Sequence, residues 1–210
     1  VYAQEMSQSV RFAQFDISKG LPNSTVTNII QDNQGFMWFG TRNGLSRYDG
    51  YIHKWYVNNE NDSTSLSNNI INTIAKDKYG NLWVGTDDGI CVYKISSQKF
   101  KRYLTGQRIR CDQILLTSTG ELLLETSSGI QQYDETKDII EVYGEDPSIE
   151  LDITGIAEGA RQMLWIGTDR GLIQIDMKTR KTLSNYPTAE FSNMHIQRMM
   201  CDADKRLWIH

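Results

Sequence analysis

The chain has 210 residues, with 22 Lys+Arg against 26 Asp+Glu, a net charge of −4 and 39% hydrophobic residues. That balance excludes a disordered chain, a membrane-spanning helix of ~20 apolar residues, and the basic surplus of a phosphate-neutralising nucleic-acid binder. Three cysteines exclude a disulfide scaffold, while 16 Gly, 10 Tyr, 5 Trp and only 3 Pro point to short strands and tight turns.

Val1-Tyr2-Ala3-Gln4 resembles the end of a secretory cleavage site, and Val10–Ile17 reads as a spare outer strand. From Val26 onward the chain repeats. In repeat one, strand a is expected at about Val26–Gln31, b at Phe36–Thr41, c at Leu45–Tyr48 and d at His53–Val57. Asn43-Gly44 between b and c is a two-residue hairpin signal, because these residue types tolerate positive φ. Repeat two recovers the pattern around Trp83, with Asp88-Gly89 at the hairpin. In repeat three Leu123 takes the tryptophan place, Thr117 replaces Asp and Glu125 replaces Gly, before Gly129. Repeat four centres on Trp165 and Gly171, with Gly159 in place of the Asp. Repeat five reaches Trp208 and has His210 where Gly is usual.

The five anchors Trp38, Trp83, Leu123, Trp165 and Trp208 stand 45, 40, 42 and 43 residues apart. Strand b carries a continuous apolar run in the first four repeats, such as Leu82-Trp83-Val84, which requires burial on both faces. A blade between two neighbouring blades has that environment. The expected fold is therefore an all-β β-propeller of four-stranded antiparallel blades. After an N-terminal segment 1–20, the propeller region 21–210 divides into blades at about 21–57, 66–104, 107–143 and 149–186. A partial blade occupies 192–210. Seven blades at this period need roughly 300 residues, so the reading is of an N-terminal fragment. Its unfinished ends are expected to favour association, or a longer parent, over an isolated closed monomer.

The stretches GLPNSTVTNIIQDNQGFMWFGTRNGLSRYDG and SLSNNIINTIAKDKYGNLWVGTDDGICVYK resemble the two-component regulator propeller repeat. The resemblance extends over residues 21–210. It implies the periplasmic sensor region of a hybrid two-component histidine kinase and response regulator of Bacteroidetes type. It further implies a seven-bladed propeller, an inner-membrane anchor and a homodimeric parent. The implied ligand is an oligosaccharide, read out through a downstream kinase that regulates glycan-utilisation genes.

No enzyme signature accompanies the repeat. Each Asp–Gly turn offers one carboxylate, too few for a calcium loop, so Asp is read as a turn-capping residue. His53, His195 and His210 lack metal-ligand spacing, and no cofactor is expected. Cys91, Cys111 and Cys201 read as free. The candidate ligand residues are the b–c tips, which vary between blades while the flanking Thr and Gly recur: Arg42, Asn43, Asp87, Asp88, Asp169 and Arg170. Trp38, Trp83, Trp165, Trp208, Gly44, Gly89, Gly129 and Gly171 are the structural anchors, with the three complete-blade tryptophans expected to be nearly buried. Trp55 lies outside that series, and the long loop Asn58–Asn69 is the first d–a connection. The rival readings are a lyase- or sialidase-type propeller enzyme acting on glycans and a protein–protein scaffold.

Overall fold

The computed structural model describes residues 16–144, 152–187, 196 and 198–210. Within them lie four four-stranded antiparallel sheets and one strand pair, each sheet running in simple sequence order. Blade 1 holds β1 (Val26–Gln31), β2 (Met37–Thr41), β3 (Gly44–Tyr48) and β4 (His53–Tyr56). Blade 2 holds β5 (Ile71–Lys76), β6 (Leu82–Thr86), β7 (Ile90–Lys94) and β8 (Lys99–Tyr103). Blade 3 holds β9 (Cys111–Leu116), β10 (Leu122–Thr126), β11 (Gly129–Asp134) and β12 (Ile139–Val142). Blade 4 holds β13 (Ile153–Glu158), β14 (Met163–Thr168), β15 (Gly171–Asp176) and β16 (Lys181–Pro187). In blade 5, β17 (Met199–Cys201) pairs with β18 (Leu207–Ile209). The described helices are two three-residue 3-10 turns.

The first strand of each blade packs on the first strand of the next, from β1 through β5, β9 and β13 to β17. Residues from all five blades face one central space. These strands therefore surround an axis, as the innermost strands of a propeller do.

Cores form between blades. Trp38 and Leu45 pack against Leu82, Val84, Cys91 and Tyr93 of the next blade. Trp83 and Ile90 meet Cys111, Ile114, Leu122 and Leu124, and Leu123 meets Ile156, Leu164 and Ile166. Each of the first two tryptophans lies between two tyrosines. Trp38 stacks on Tyr56 of its own β4 at 5.4 Å and meets Tyr93 of blade 2 at 5.0 Å. Trp83 stacks on Tyr103 at 5.5 Å and meets Tyr133 of blade 3 at 4.7 Å.

Two expectations are corrected here. Trp165 is half-buried rather than nearly buried: it meets Tyr186 at 5.9 Å, but the described part of blade 5 supplies no second tyrosine. Ile17 opens a 3-10 turn capped by Asp16 instead of ending a strand. The rest of the expected strand at 10–17, the Val1–Gln4 signal and His195 lie outside the described residues. Ile29 of blade 1 is 60% exposed, whereas its counterparts Ile114, Ile156 and Met199 are buried between blades and Ile74 is half-buried. The apolar flank of blade 1 is thus uncovered among the described residues.

The repeated Thr and Gly form a conserved geometry within the chain. In blade 1, Thr41 Oγ1 donates to the Gly44 carbonyl at 2.7 Å and accepts the Asn43 N–H at 3.1 Å. Thr86, Thr126 and Thr168 repeat both bonds. Gly89, at φ 82°, also brings its backbone against Tyr103, where an added Cβ would lie 2.5 Å from the carbonyl oxygen.

Candidate ligand site at the axial mouth

The innermost strands carry a feature that simple strand alternation does not show. Register slips by one residue between Val26 and Asn28, between Ile71 and Thr73, and between Ile153 and Gly155. In β9 the slip falls between Cys111 and Gln113, where Thr126 and Glu125 pair with them. Each slip is a β-bulge, and a bulge re-aims the side chain it leaves unpaired. The bulged residues are Thr27, Asn72, Asp112 and Thr154. All four line one cavity of about 800 Å³ on the axis, together with Arg42, Arg110, Glu125 and Arg198. One repeat position thus becomes a ring of two hydroxyls, an amide and a carboxylate.

Side chains at the next position tie the ring together. Asn28 Oδ1 accepts the Ile74 N–H at 2.7 Å. Gln113 accepts the Ile156 N–H at 2.9 Å and donates to the Ile156 carbonyl at 2.8 Å. These amide bridges join neighbouring innermost strands without a continuous backbone ladder, so the mouth is polar yet anchored.

Glu125 is the outlier of this site. Gly40, Gly85 and Gly167 occupy its repeat position in the other complete blades. At Gly40 and Gly85 an added Cβ would come within 3 Å of Ile71 and of Cys111 in the next blade. In blade 3 a carboxylate stands there instead, opposite Gln113 in the β9–β10 register. It is 6% exposed and makes no hydrogen bond or ion pair among the described residues. Burial, with a smaller push from the Asp112 charge and an opposing pull from Arg110, raises its pKa to about 7. Asp112 itself is engaged by Arg110 Nε at 2.7 Å. Burial and the Glu125 charge also push the Cys111 thiol up.

The six b–c tip residues divide between this mouth and the turn framework. Arg42 lines the cavity. Asp87 accepts from Asn72 Nδ2 at 2.9 Å and so positions one member of the bulge ring. Asp88 caps the Gly106 and Arg108 amides of the following loop at 3.1 and 2.9 Å. Asn43 is part of the Thr41 turn. Among the described residues, Asp169 keeps one buried oxygen without a partner, while its other oxygen lies 3.9 Å from the exposed Arg170. The tip backbones are held as well: Gly44 N donates to Asn69 O, and Gly89 N donates to Ile109 O.

Other candidate residues lie away from the axis. Trp55 donates its indole N–H to the Gly20 carbonyl at 2.7 Å on the outer strand. Loop Asn58–Asn69 is pinned by Arg102 of blade 2 through the carbonyls of Asn59, Asp62 and Ser65. His53 sits beside Ser46 Oγ at 2.8 Å and stacks on Tyr48. The cysteines are free. Among the described residues, no three His, Cys, Asp or Glu groups gather as a metal-ligand set, and no helix is long and apolar enough to cross a membrane.

The bulge ring was missed in the sequence because its members look like ordinary polar strand positions. Glu125 was visible only as a departure from the repeat.

Residues 20–43 and 65–88, which run through the first hairpins of blades 1 and 2, match the two-component regulator propeller model. Over 55 residues the chain is 47% identical to histidine kinase P4 of Formosa agariphila, covering 26% of this chain and 4% of the kinase. Its fold is similar to the extracellular domain of BT4673 of B. thetaiotaomicron, a protein assigned to a hybrid two-component system. That likeness has a TM-score of 0.73 at 25% identity and covers 95% of this chain and 30% of that one. Virginiamycin B lyase of Staphylococcus aureus shares the fold, with a TM-score of 0.67 at 19% identity over 90% of this chain and 64% of the lyase. The chain thus spans only a small part of the kinase and under a third of the extracellular domain.

Proposed function

We propose that these two-component regulator propeller blades belong to the ligand-binding region of a periplasmic hybrid two-component sensor, and that the ligand is an oligosaccharide held at the axial mouth. The observation that carries the site is the convergence of Thr27, Asn72, Asp112 and Thr154 with Arg42 and Glu125 on one cavity of about 800 Å³. Hydroxyl, amide and carboxylate groups on the strands, with guanidinium groups on the adjoining turns, supply the donors and acceptors that sugar hydroxyls require. The repeat family and the likeness to the BT4673 extracellular domain support the sensor role.

In this reading the parent is a homodimer anchored in the inner membrane. Ligand binding biases two arrangements of the dimer, and a downstream kinase reads the bias to regulate glycan-utilisation genes. Such coupling requires only that the ligand bind one arrangement more tightly.

The test is a thermal-shift screen of the purified chain against an oligosaccharide panel, followed by calorimetry on the hits. Asn72→Ala and Arg42→Ala are expected to weaken a hit about tenfold or more. A hit whose affinity is unchanged in both variants places binding elsewhere and overturns the axial assignment.

A further inference from the structure

The axial mouth contains three arginines and two carboxylates, and their pairing is unequal. Arg110 is satisfied by Asp112 at 2.7 Å. Arg42 and Arg198 also line the cavity, and neither guanidinium makes a hydrogen bond or ion pair among the described residues. Glu125 likewise lacks a partner, although it is almost wholly buried. Glu125 lines the same cavity, which places its carboxyl group beside any ligand held there. Among the described residues, two unpaired cations and one unpaired carboxyl group thus border the same space.

From this arrangement we infer that the mouth binds the acidic group of an oligosaccharide, a carboxylate or a sulfate, and that Glu125 is protonated in the complex. The inference rests on the sugar-binding reading above and narrows its ligand class. An anion is attracted by Arg42 and Arg198, whose planar guanidinium groups suit bidentate contact with carboxylate or sulfate oxygens. An ionised Glu125 would repel that anion. A protonated Glu125 removes the repulsion and offers an O–H donor instead.

The groups that bear on Glu125 come from every side of the mouth. Asp112 and Cys111 lie on β9, with Arg110 immediately before it, and Asp87 is on the blade 2 turn close enough to act on Arg110. Arg42 of blade 1 and Arg198 of blade 5 line the same cavity, while β13 contributes the non-titrating Ile153 and Thr154. The pKa raised to about 7 means that protonation needs little change near neutrality. An anion bound nearby would raise it further, so binding and proton uptake are linked.

Calorimetry with three matched disaccharides tests the inference: one ending in glucuronate, one in glucose, and one in 6-sulfated glucose. Titrations run at about pH 6 and about pH 8, in two buffers of different ionisation enthalpy, so that proton uptake is counted directly. At least one acidic probe is expected to bind about tenfold or more tighter than the glucose probe. Its affinity should fall with rising pH, by up to about tenfold per unit above pH 7, with net proton uptake. Glu125→Gln should hold the low-pH affinity at both pH values and abolish the proton uptake. Arg42→Gln should weaken the acidic probe selectively. The preferred acidic probe tells carboxylate from sulfate.

Equal or tighter binding of the glucose probe overturns the inference, and so does acidic-probe binding without pH dependence. Failure of all three probes to bind at about millimolar concentration overturns it too. If the glucose probe binds and Asn72→Ala weakens it, the axial sugar site survives and only the acidic preference falls. If an acidic probe binds but none of the three substitutions alters its affinity, both readings fall.

Discussion

Asp32 and Trp38 are joined by a 2.7 Å hydrogen bond from the indole N–H to the carboxylate. The other oxygen of Asp32 accepts the Gln34 and Phe36 amides at 2.9 and 3.0 Å. One buried carboxylate therefore closes the turn and fixes the core tryptophan. Asp77 with Trp83 and Asp202 with Trp208 repeat the arrangement. In blade 3 both partners change: Leu123 needs no acceptor, and Thr117 Oγ1 still accepts the Glu121 amide at 2.9 Å. In blade 4 only the Asp is lost, and the indole of Trp165 lies where a Cβ on Gly159 would come within 2.7 Å.

Asp32→Ala leaves three donors without their acceptor and should lower unfolding stability by about 2–4 kcal/mol. In a double-mutant cycle with Trp38→Phe, urea unfolding should report a coupling of about 1–2 kcal/mol. Additive single effects would show that the carboxylate serves the turn alone.

Trp83 is fully buried between two tyrosines, whereas Trp208 is 57% exposed. Trp83→Ala should cost about 3–5 kcal/mol, and Trp208→Ala less than about 1 kcal/mol. Denaturant midpoints of the two variants check this, and equal losses would contradict the packing described.

The repeat period, the four strands per blade and the Thr–Gly turns were legible because each blade restates them. Met37-Trp38-Phe39 and Leu82-Trp83-Val84 look alike in sequence, yet only the second is buried throughout, since burial depends on the neighbouring blade. The bulges at Thr27, Asn72, Asp112 and Thr154 left no mark in residue type. They arise from pairing, which depends on the partner strand. The variable tips are the positions that stand out in residue type, yet Asp88 there caps a loop. The second role of Asp32 was readable in principle, because Asp and Trp disappear together from repeat three.

Gly89 and Gly129 share a repeat position and positive φ, but only Gly89 meets neighbouring backbone within 4 Å. Alanine at either position incurs the left-handed backbone cost of about 1–2 kcal/mol. Gly89→Ala should lose about 1–3 kcal/mol more through overpacking against Tyr103. Thermal unfolding of the two variants decides it, and equal destabilisation would contradict the close approach.

Glu125 binds its proton more tightly in the folded chain, with a pKa of about 7 against a usual 4.5. Between those values the folded state holds more protons than the unfolded, so its contribution declines as pH rises and levels off above about 7. Glu125→Gln should therefore stabilise the chain by up to about 3 kcal/mol at pH 8, with the gain fading as pH falls toward 4.5. Chemical denaturation across this range measures it, and a pH-independent difference would show that the carboxyl is not desolvated.

The central claim is that ligand enters on the axis. Hydrogen–deuterium exchange of the chain, with and without an oligosaccharide identified by the screen, tests it most directly. The account predicts ligand-dependent protection at the starts of β1, β5, β9 and β13, around Thr27, Asn72, Asp112 and Thr154. Protection confined to the turns bearing Asp88 and Arg170, or to the outer strands β4, β8, β12 and β16, would contradict it.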